Sequence, residues 1–591
     1  MTAPQSLSPA QKKGVQPSLT LCPAPNLDWS RPGTPASDEF GDIYFSVDGG
    51  LEETRAVYLQ ACGLPERWRE PEFETQPFVI GELGFGTGLN FLAVWQIWKA
   101  HKRAGQRLHF VSVEKYPLSR QDLETALSCW PELQTLARAL LAVWPGRVRG
   151  THILHLADGV TLTLCHDDVE AALAGLTLQA DAWFLDGFSP AKNPEMWSED
   201  VMAHIGRLSA LGARVGTFTA AGFVREGLAK AGFKVSKTQG FGRKRHRIEA
   251  VMSENSAEPK DADIRPVIIG GGIAGASLAS AFKRRGIRAI VIDADDGTAA
   301  SGNAAAIVKP RLDRQDSPLA RFALSAYLYA AREYRRLGAV LSEGVRHAPQ
   351  TPEQAARFKA LAAEPALPPE EMVLRDGDLV FPRAQVIDPQ KARTNLLEGT
   401  QSLKGRAASV QQNKKTLEVL NEDGEVLASG THVVFAAGAG VRDMNCFDPL
   451  ELRYSRGQIS WAKNHDRESA LTYGGYAIPL GGDMLLGATH SRLTGGNPYA
   501  LSRDDDAYNF ESYLNAVGET AMPSSRPSRA SVRVNSKTTW PFAADIAPRI
   551  SVMTGLGSRG FVFAPLMAEL FAAEVMGEPH VFPPKLRRNF T

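Results

Sequence analysis

The sequence predicts an α/β protein built from two Rossmann-like units in series, the second with an added strand-rich region. Three observations predict it. One apolar run leads into the glycine turn of Phe78-Val-Ile-Gly-Glu-Leu-Gly84-Phe-Gly86-Thr-Gly88-Leu-Asn90, and another into Val267-Ile-Ile-Gly270-Gly-Gly272-Ile-Ala-Gly275. Each turn opens a helix-like stretch, the context in which a glycine turn can hold a nucleotide-like ligand. Between them, Ser253-Glu-Asn-Ser-Ala-Glu-Pro-Lys-Asp-Ala-Asp263 has the polar, charged composition of a linker. The chain is therefore divided into residues 1–253, a linker over 254–264, and residues 265–591; 591 residues are too many for one core.

Composition narrows the class. A formal charge of +1 means that any nucleic-acid contact must come from local patches, not a global field. Two basic runs qualify, Gly242-Arg-Lys-Arg-His-Arg247 and Lys585-Leu-Arg-Arg588, although such runs are more often solvated faces. Five scattered cysteines without a CxxC argue for reduced thiols and against a zinc site or a disulfide framework. The first residues lack the apolar core of a signal peptide. No apolar run reaches the ~18 residues of a membrane helix; the nearest, Phe561 to Met576, carries Glu569 and Glu574. The expectation is a cytoplasmic protein with no membrane, no metal and no obligate protein partner.

The first turn, Gly84-x-Gly86-x-Gly88, departs from the dinucleotide spacing, and Glu82 within it would repel a pyrophosphate. A cationic ligand such as S-adenosylmethionine suits it better. Leu108-His-Phe-Val-Ser-Val113 ends in Glu114, placed to accept ribose hydroxyls, and Asp168 follows Leu162-Thr-Leu-Cys165, where it can meet an adenine amino group. Singly, each acid reads as a turn or helix cap; the three in βα order point to the cofactor. Ala182-Trp-Phe-Leu-Asp186-Gly-Phe188-Ser-Pro190 is an apolar strand ending in a carboxylate and a tight loop. It resembles a variant of the D/N-P-P-Y loop of amine methyltransferases. An amine must be neutral to attack a methyl sulfonium; Asp186 can aim its lone pair and take its proton, while the Phe188 face can stabilise the cationic methyl. Simple packing is the alternative for Phe188.

The second turn, Gly270-x-Gly272-x-x-Gly275, has the dinucleotide spacing. A strand-like Ala289-Ile-Val-Ile292 ends in Asp293, close to the ~20-residue offset of a ribose-binding acid. By itself this fingerprint serves FAD and NAD alike.

Four runs, Asp186-Gly-Phe-Ser-Pro-Ala-Lys-Asn-Pro194, Asp42-Ile-Tyr-Phe-Ser46, Gly50-Leu-Glu-Glu-Thr-Arg55 and Gly240-Phe-Gly-Arg-Lys244, together resemble the bifunctional tRNA 5-methylaminomethyl-2-thiouridine biosynthesis family. The resemblance extends from about Leu27 to the carboxy terminus. It implies an S-adenosylmethionine-dependent methyltransferase domain fused to an FAD-binding Rossmann domain with an inserted antiparallel-sheet substrate domain, like that of amino-acid oxidases. Ser301-Gly-Asn303, the strand and turn Val433 to Gly438, and Gly555-Leu-Gly557-Ser-Arg-Gly560 are similar to flavin-contacting segments of amine-oxidising flavoproteins. They shift the second cofactor to FAD, bound non-covalently. Arg456 and Arg533 are candidates for gripping a substrate carboxylate, with ordinary ion pairs as the alternative. Lys309 stands where relatives of that type have an apolar or aromatic residue. The implied activity is oxidative removal of a carboxymethyl group from carboxymethylaminomethyl-uridine at the tRNA wobble position, then N-methylation of the exposed amine. The alternative is a fused enzyme acting on free glycine- or sarcosine-like molecules.

Overall fold

The computed structural model describes residues 17–31, 34–46, 49–242, 244–254, 263–443, 450–464, 466–493 and 495–589. Its amino-terminal sheet has eight strands, in the order Phe233–Gln239, His246–Met252, Ser209–Thr217, Ala180–Leu185, Phe78–Leu83, Leu108–Val113, Val160–His166, Gly150–Ala157. The five strands from Ser209–Thr217 to Val160–His166 pair in parallel; the outer three pair antiparallel. Phe78–Leu83 and Leu108–Val113 are buried at every position, which is why they read as mainly apolar runs, interrupted by Glu82 in the first and by His109 and Ser112 in the second. From Phe78–Leu83 the chain moves to one side of the sheet and later returns to fill the other. The crevice between Phe78–Leu83 and Ala180–Leu185 is thus the topological switch point where such sheets bind ligands.

The carboxy-terminal half holds a seven-stranded sheet, Gln401–Lys404, Ile290–Asp293, Pro266–Ile269, His432–Phe435, Ile550–Thr554, Phe542–Ala547, Arg587–Asn589. Its first five strands are parallel. Segments between these strands build a ten-stranded sheet centred on Asp378–Ile387, Val340–His347, Ala470–Thr472 and Arg453–Lys463. It is not purely antiparallel: Val340–His347 and Ala470–Thr472 run parallel, because the chain leaves for the nucleotide-binding layer before it returns. Within this sheet Gly481-Gly482 turns the chain between Tyr476–Leu480 and Asp483–Gly487, which pair as a hairpin.

The two halves meet along helix Pro318–Arg336, which lies over strand Gly150–Ala157. Val148 and Ile153 from the first half enter the core of the second. Thr177 and His580 form a two-bond bridge, each N–H donating to the other's carbonyl at 3.0 Å. Charge concentrates here. Glu569, 2 % exposed, accepts from Arg285 at 2.7 Å and Arg284 at 3.1 Å. Glu578 accepts from Arg285 at 2.7 Å and also pairs with Arg107 of the first half.

Candidate functional site

A cavity of about 700 Å³ opens at the switch point of the amino-terminal sheet. Gly84 starts its floor with φ +79°, and a Cβ there would sit 3.1 Å from the Gly187 Cα, so the glycine turn and the Asp186 loop touch backbone to backbone. Gly86 also lines the cavity. Gly88 does not; it is the residue preceding helix Leu89–His101. Glu114 lines the cavity and is fixed by two backbone donors, Gly86 N–H at 2.9 Å and Tyr116 N–H at 2.8 Å. Those bonds leave acceptor positions on the same carboxylate. Asp168 caps helix Val169–Gly175 by accepting from Glu170 N–H at 3.1 Å, and pairs with Lys115 at 3.3 Å.

Glu82 requires a correction. The strand runs on to Leu83, so Glu82 belongs to the sheet and not to the turn, is 1 % exposed, and does not line the cavity. Its carboxyl accepts from Ser112 at 2.6 Å and Asn90 at 3.0 Å, and burial pushes its pKa well above the usual carboxylate value. Glu82 is linked to the cavity wall through Asn90, whose amide also donates to Asp186 at 2.7 Å, with Thr54 donating to the Asn90 oxygen at 2.8 Å. Asp186 is further held by the Gly187 N–H at 2.8 Å and by the Tyr58 hydroxyl. Burial raises its pKa, and these three donors oppose the rise.

Phe188 is half-buried at the cavity wall. It stacks on Phe40 at 4.7 Å and meets Tyr44 edge-on at 5.3 Å. The loop is tied down by Asp42, which accepts from Ser189 N–H at 3.1 Å and pairs with Lys192 at 3.5 Å. Helix Gly50–Thr54 and the segment around Lys244 close the mouth through a Lys244–Glu53 pair at 3.0 Å. Each basic run noted in the sequence is partly neutralised. Lys244 serves Glu53, Arg247 serves Glu249 at 2.7 Å, and Arg587 serves Glu574 at 2.9 Å; Arg243 lies outside the described residues.

In the carboxy-terminal half the glycine turn and three distant segments converge. Gly270 has φ +108°, and a Cβ there would lie 2.6 Å from the Ala437 Cα, next to Gly438. Gly275 lets the first helix, Ile273–Arg284, pack against the Gly270 carbonyl. Ser301 accepts from the Ile273 N–H at 3.1 Å, satisfying a donor at the start of that helix. Asn303 accepts from Arg529 at 2.7 Å. Gly557 belongs to the short turn Gly557–Arg559, and Gly560, which starts helix Gly560–Val575, faces Ile273. Asp293 ends its strand beside Gly271, with Arg393 at 3.5 Å. A Cβ on Gly272 would meet only the Ser301 hydroxyl, at 3.4 Å, leaving open space above the helix start. This cradle fits a dinucleotide whose pyrophosphate lies at the helix N-terminus and whose ribose meets Asp293.

The two candidate arginines separate. Arg456 is taken up by Asp505, the Gln458 side chain at 3.0 Å and the Ala500 carbonyl. Arg533 donates to the Thr489 carbonyl at 2.7 Å and to His490 at 3.1 Å, and among the described residues it has no carboxylate partner. Its Nε is buried without an acceptor. Asn90, Tyr58, Arg393 and Arg529 escaped the sequence reading. Asn90 stood inside the first quoted motif, whereas nothing in sequence points to the other three.

The fold and these two sites define a methyltransferase joined to an FAD-dependent oxidoreductase. Family models agree, matching residues 131–253 as "S-adenosyl-L-methionine-dependent methyltransferase" and residues 265–574 as "FAD dependent oxidoreductase". The chain belongs to the family of tRNA 5-methylaminomethyl-2-thiouridine biosynthesis bifunctional proteins. It is 40% identical to the member from Maricaulis maris over 95% of this chain and 94% of the relative. It is 39% identical to that of Caulobacter vibrioides over 95% and 96%. Among solved structures, a glycine oxidase from Geobacillus kaustophilus matches 54% of this chain and 97% of its own, at 18% identity and a TM-score of 0.47. Among the described residues no helix is long and apolar enough to cross a membrane.

Proposed function

We propose that this cytoplasmic chain, divided at residues 254–264, modifies the wobble uridine of tRNA in two steps. The carboxy-terminal half oxidises the carboxymethyl carbon beside the amine of carboxymethylaminomethyl-(2-thio)uridine to an imine, and water hydrolyses that imine, releasing glyoxylate and leaving an aminomethyl group. The amino-terminal half then methylates that amine. FAD, held non-covalently by Gly270, Gly272, Gly275, Asp293, Ser301, Asn303, Gly438, Gly557 and Gly560, supplies the two-electron acceptor for oxidation at the carbon beside the amine. Arg533 grips the carboxylate that is to leave: a half-buried guanidinium with a shielded Nε and, among the described residues, no acid partner suits a planar two-oxygen anion. Arg456, already paired, has a structural role.

On the methylation side, Gly84 and Gly86 bring backbone to S-adenosylmethionine, Glu114 takes its ribose hydroxyls, and Asp168 meets the adenine. Asp186 orients the amine and receives its proton. Phe188, backed by Phe40, presents a ring face to the methyl group. Gly88 and Glu82 support this arrangement from beneath. The observation that carries the reading is the contact of Gly84 with Gly187, which sets a donor held by one loop against an acceptor held by the other. Asp186→Ala tests it. Methylation falls by about 10²–10⁴-fold while oxidation continues, so tRNA from the variant accumulates aminomethyl-uridine. Normal methylation in a folded Asp186→Ala protein would refute the role.

A further inference from the structure

A second cavity, of about 350 Å³, opens beside the Gly557–Arg559 turn. Lys309, Arg311, Arg357 and Arg559 line it together with His347 and Asp313. Four cationic side chains thus face one carboxylate, which is already engaged: Asp313 pairs with Arg311 at 3.2 Å. Arg357 donates to the Leu312 carbonyl at 2.7 Å. His347 adds no counter-charge. Burial and the neighbouring Lys309 hold its pKa down at about 4, so it is neutral at physiological pH.

Lys309 and Arg559 remain. Among the described residues neither forms an ion pair; the Lys309 ammonium has only the Phe381 ring, 5.6 Å away. Desolvation and the nearby Arg559 hold Lys309 down at about 8. Withdrawing cations from water without a partner is costly, and a concave site that does so is built for an anion that arrives. We propose that this cavity binds an oxyanion of the tRNA substrate, with Lys309 and Arg559 as its principal donors. The oxyanion is either a backbone phosphate beside the wobble nucleotide or, in place of the Arg533 contact proposed above, the carboxylate of the modified base. This rests on the tRNA reading above.

Calorimetric titration of the full-length, flavin-loaded protein at constant ionic strength tests it, with inorganic phosphate and sodium acetate as separate probes. Saturable binding of either probe, weakened about ten-fold or more by Lys309→Met and retained in Lys309→Arg, supports the proposal. Preference for phosphate identifies the backbone as the source, and preference for acetate identifies the base. If Lys309→Met does not fold, Arg559→Gln makes the same comparison. No saturable binding of either probe, or binding unchanged in Lys309→Met and Arg559→Gln, overturns it. Turnover of carboxymethylaminomethyl-tRNA by the unaltered enzyme is followed in parallel. Turnover without anion binding sinks this inference alone, whereas failure to act on that tRNA at all sinks the functional reading beneath it.

Discussion

Asp186 shows how a single residue is tuned by opposing effects. Burial raises its pKa, while Tyr58, Asn90 and Gly187 stabilise the carboxylate. In its proposed role as proton acceptor Asp186 must be ionised, so the rate of methylation in a single turnover is expected to rise with pH through a limb lying above the ordinary aspartate value of 3.8. Replacing Asn90 by alanine removes a donor that favours the anion. The limb then moves upward and the rate drops about ten-fold or more, as expected for loss of a hydrogen bond to a charged group worth about 1.5–3 kcal/mol. An unmoved limb in Asn90→Ala would show that the amide does not act on Asp186. Residues of this kind are the least legible in sequence. Asp186 announces itself by its loop, whereas Asn90 acquires its meaning only when it meets a carboxylate 96 positions away. Arg529 likewise fastens Asn303 across 226 positions.

At the scale of elements the sequence is far more readable. Parallel strands buried on both faces are rich in apolar residues, so Pro266–Ile269 stands out at its full length, and Leu108–Val113 does so despite His109 and Ser112. Glycine turns mark their carboxyl ends. The limits of such reading have physical causes too. Glu82 reads in sequence as part of the glycine turn, yet it lies inside a buried strand, where Ser112 and Asn90 make a carboxyl tolerable. The basic runs could not be told from anion-binding surface until Glu53 and Glu574 came to Lys244 and Arg587 from elsewhere in the chain; Arg247 pairs with Glu249, two residues on. The start of helix Ile273–Arg284 offers a clean element-level test. Gly272 has an ordinary φ of −65° and open space before it, so Gly272→Glu is expected to fold but to place a carboxylate in the proposed pyrophosphate site. The purified variant is expected to be colourless and inactive in oxidation, yet to methylate aminomethyl-tRNA normally. Retention of the flavin spectrum would contradict the assignment of this turn.

Across the whole molecule, the two halves are joined by packing and by a buried charge cluster. Glu569, Glu578 and Glu333 are held below the usual carboxylate range by Arg284, Arg285, Arg336 and Arg107, Glu333 to about 2. Depressed folded-state pKa values stabilise the fold above the ordinary value of 4.5, and that stability is lost as pH falls toward the folded-state values. Glu569→Gln leaves Arg284 and Arg285 short of a buried counter-charge, at a cost of about 3–5 kcal/mol. Denaturant melts should show a lower midpoint in this variant at neutral pH and a smaller difference in acid; identical melts would remove the cluster from any account of stability. Held together in this way, the two catalytic halves have separate ligands and separate residues, and the central claim is that they act in a fixed order on one nucleoside. Mass spectrometry of nucleosides from carboxymethylaminomethyl-tRNA incubated with the enzyme tests this most directly. With S-adenosylmethionine withheld, aminomethyl-uridine accumulates; with it supplied, methylaminomethyl-uridine replaces it. A methylated product that forms without prior loss of the carboxymethyl group, or unchanged tRNA alongside rapid turnover of free glycine, would contradict the claim.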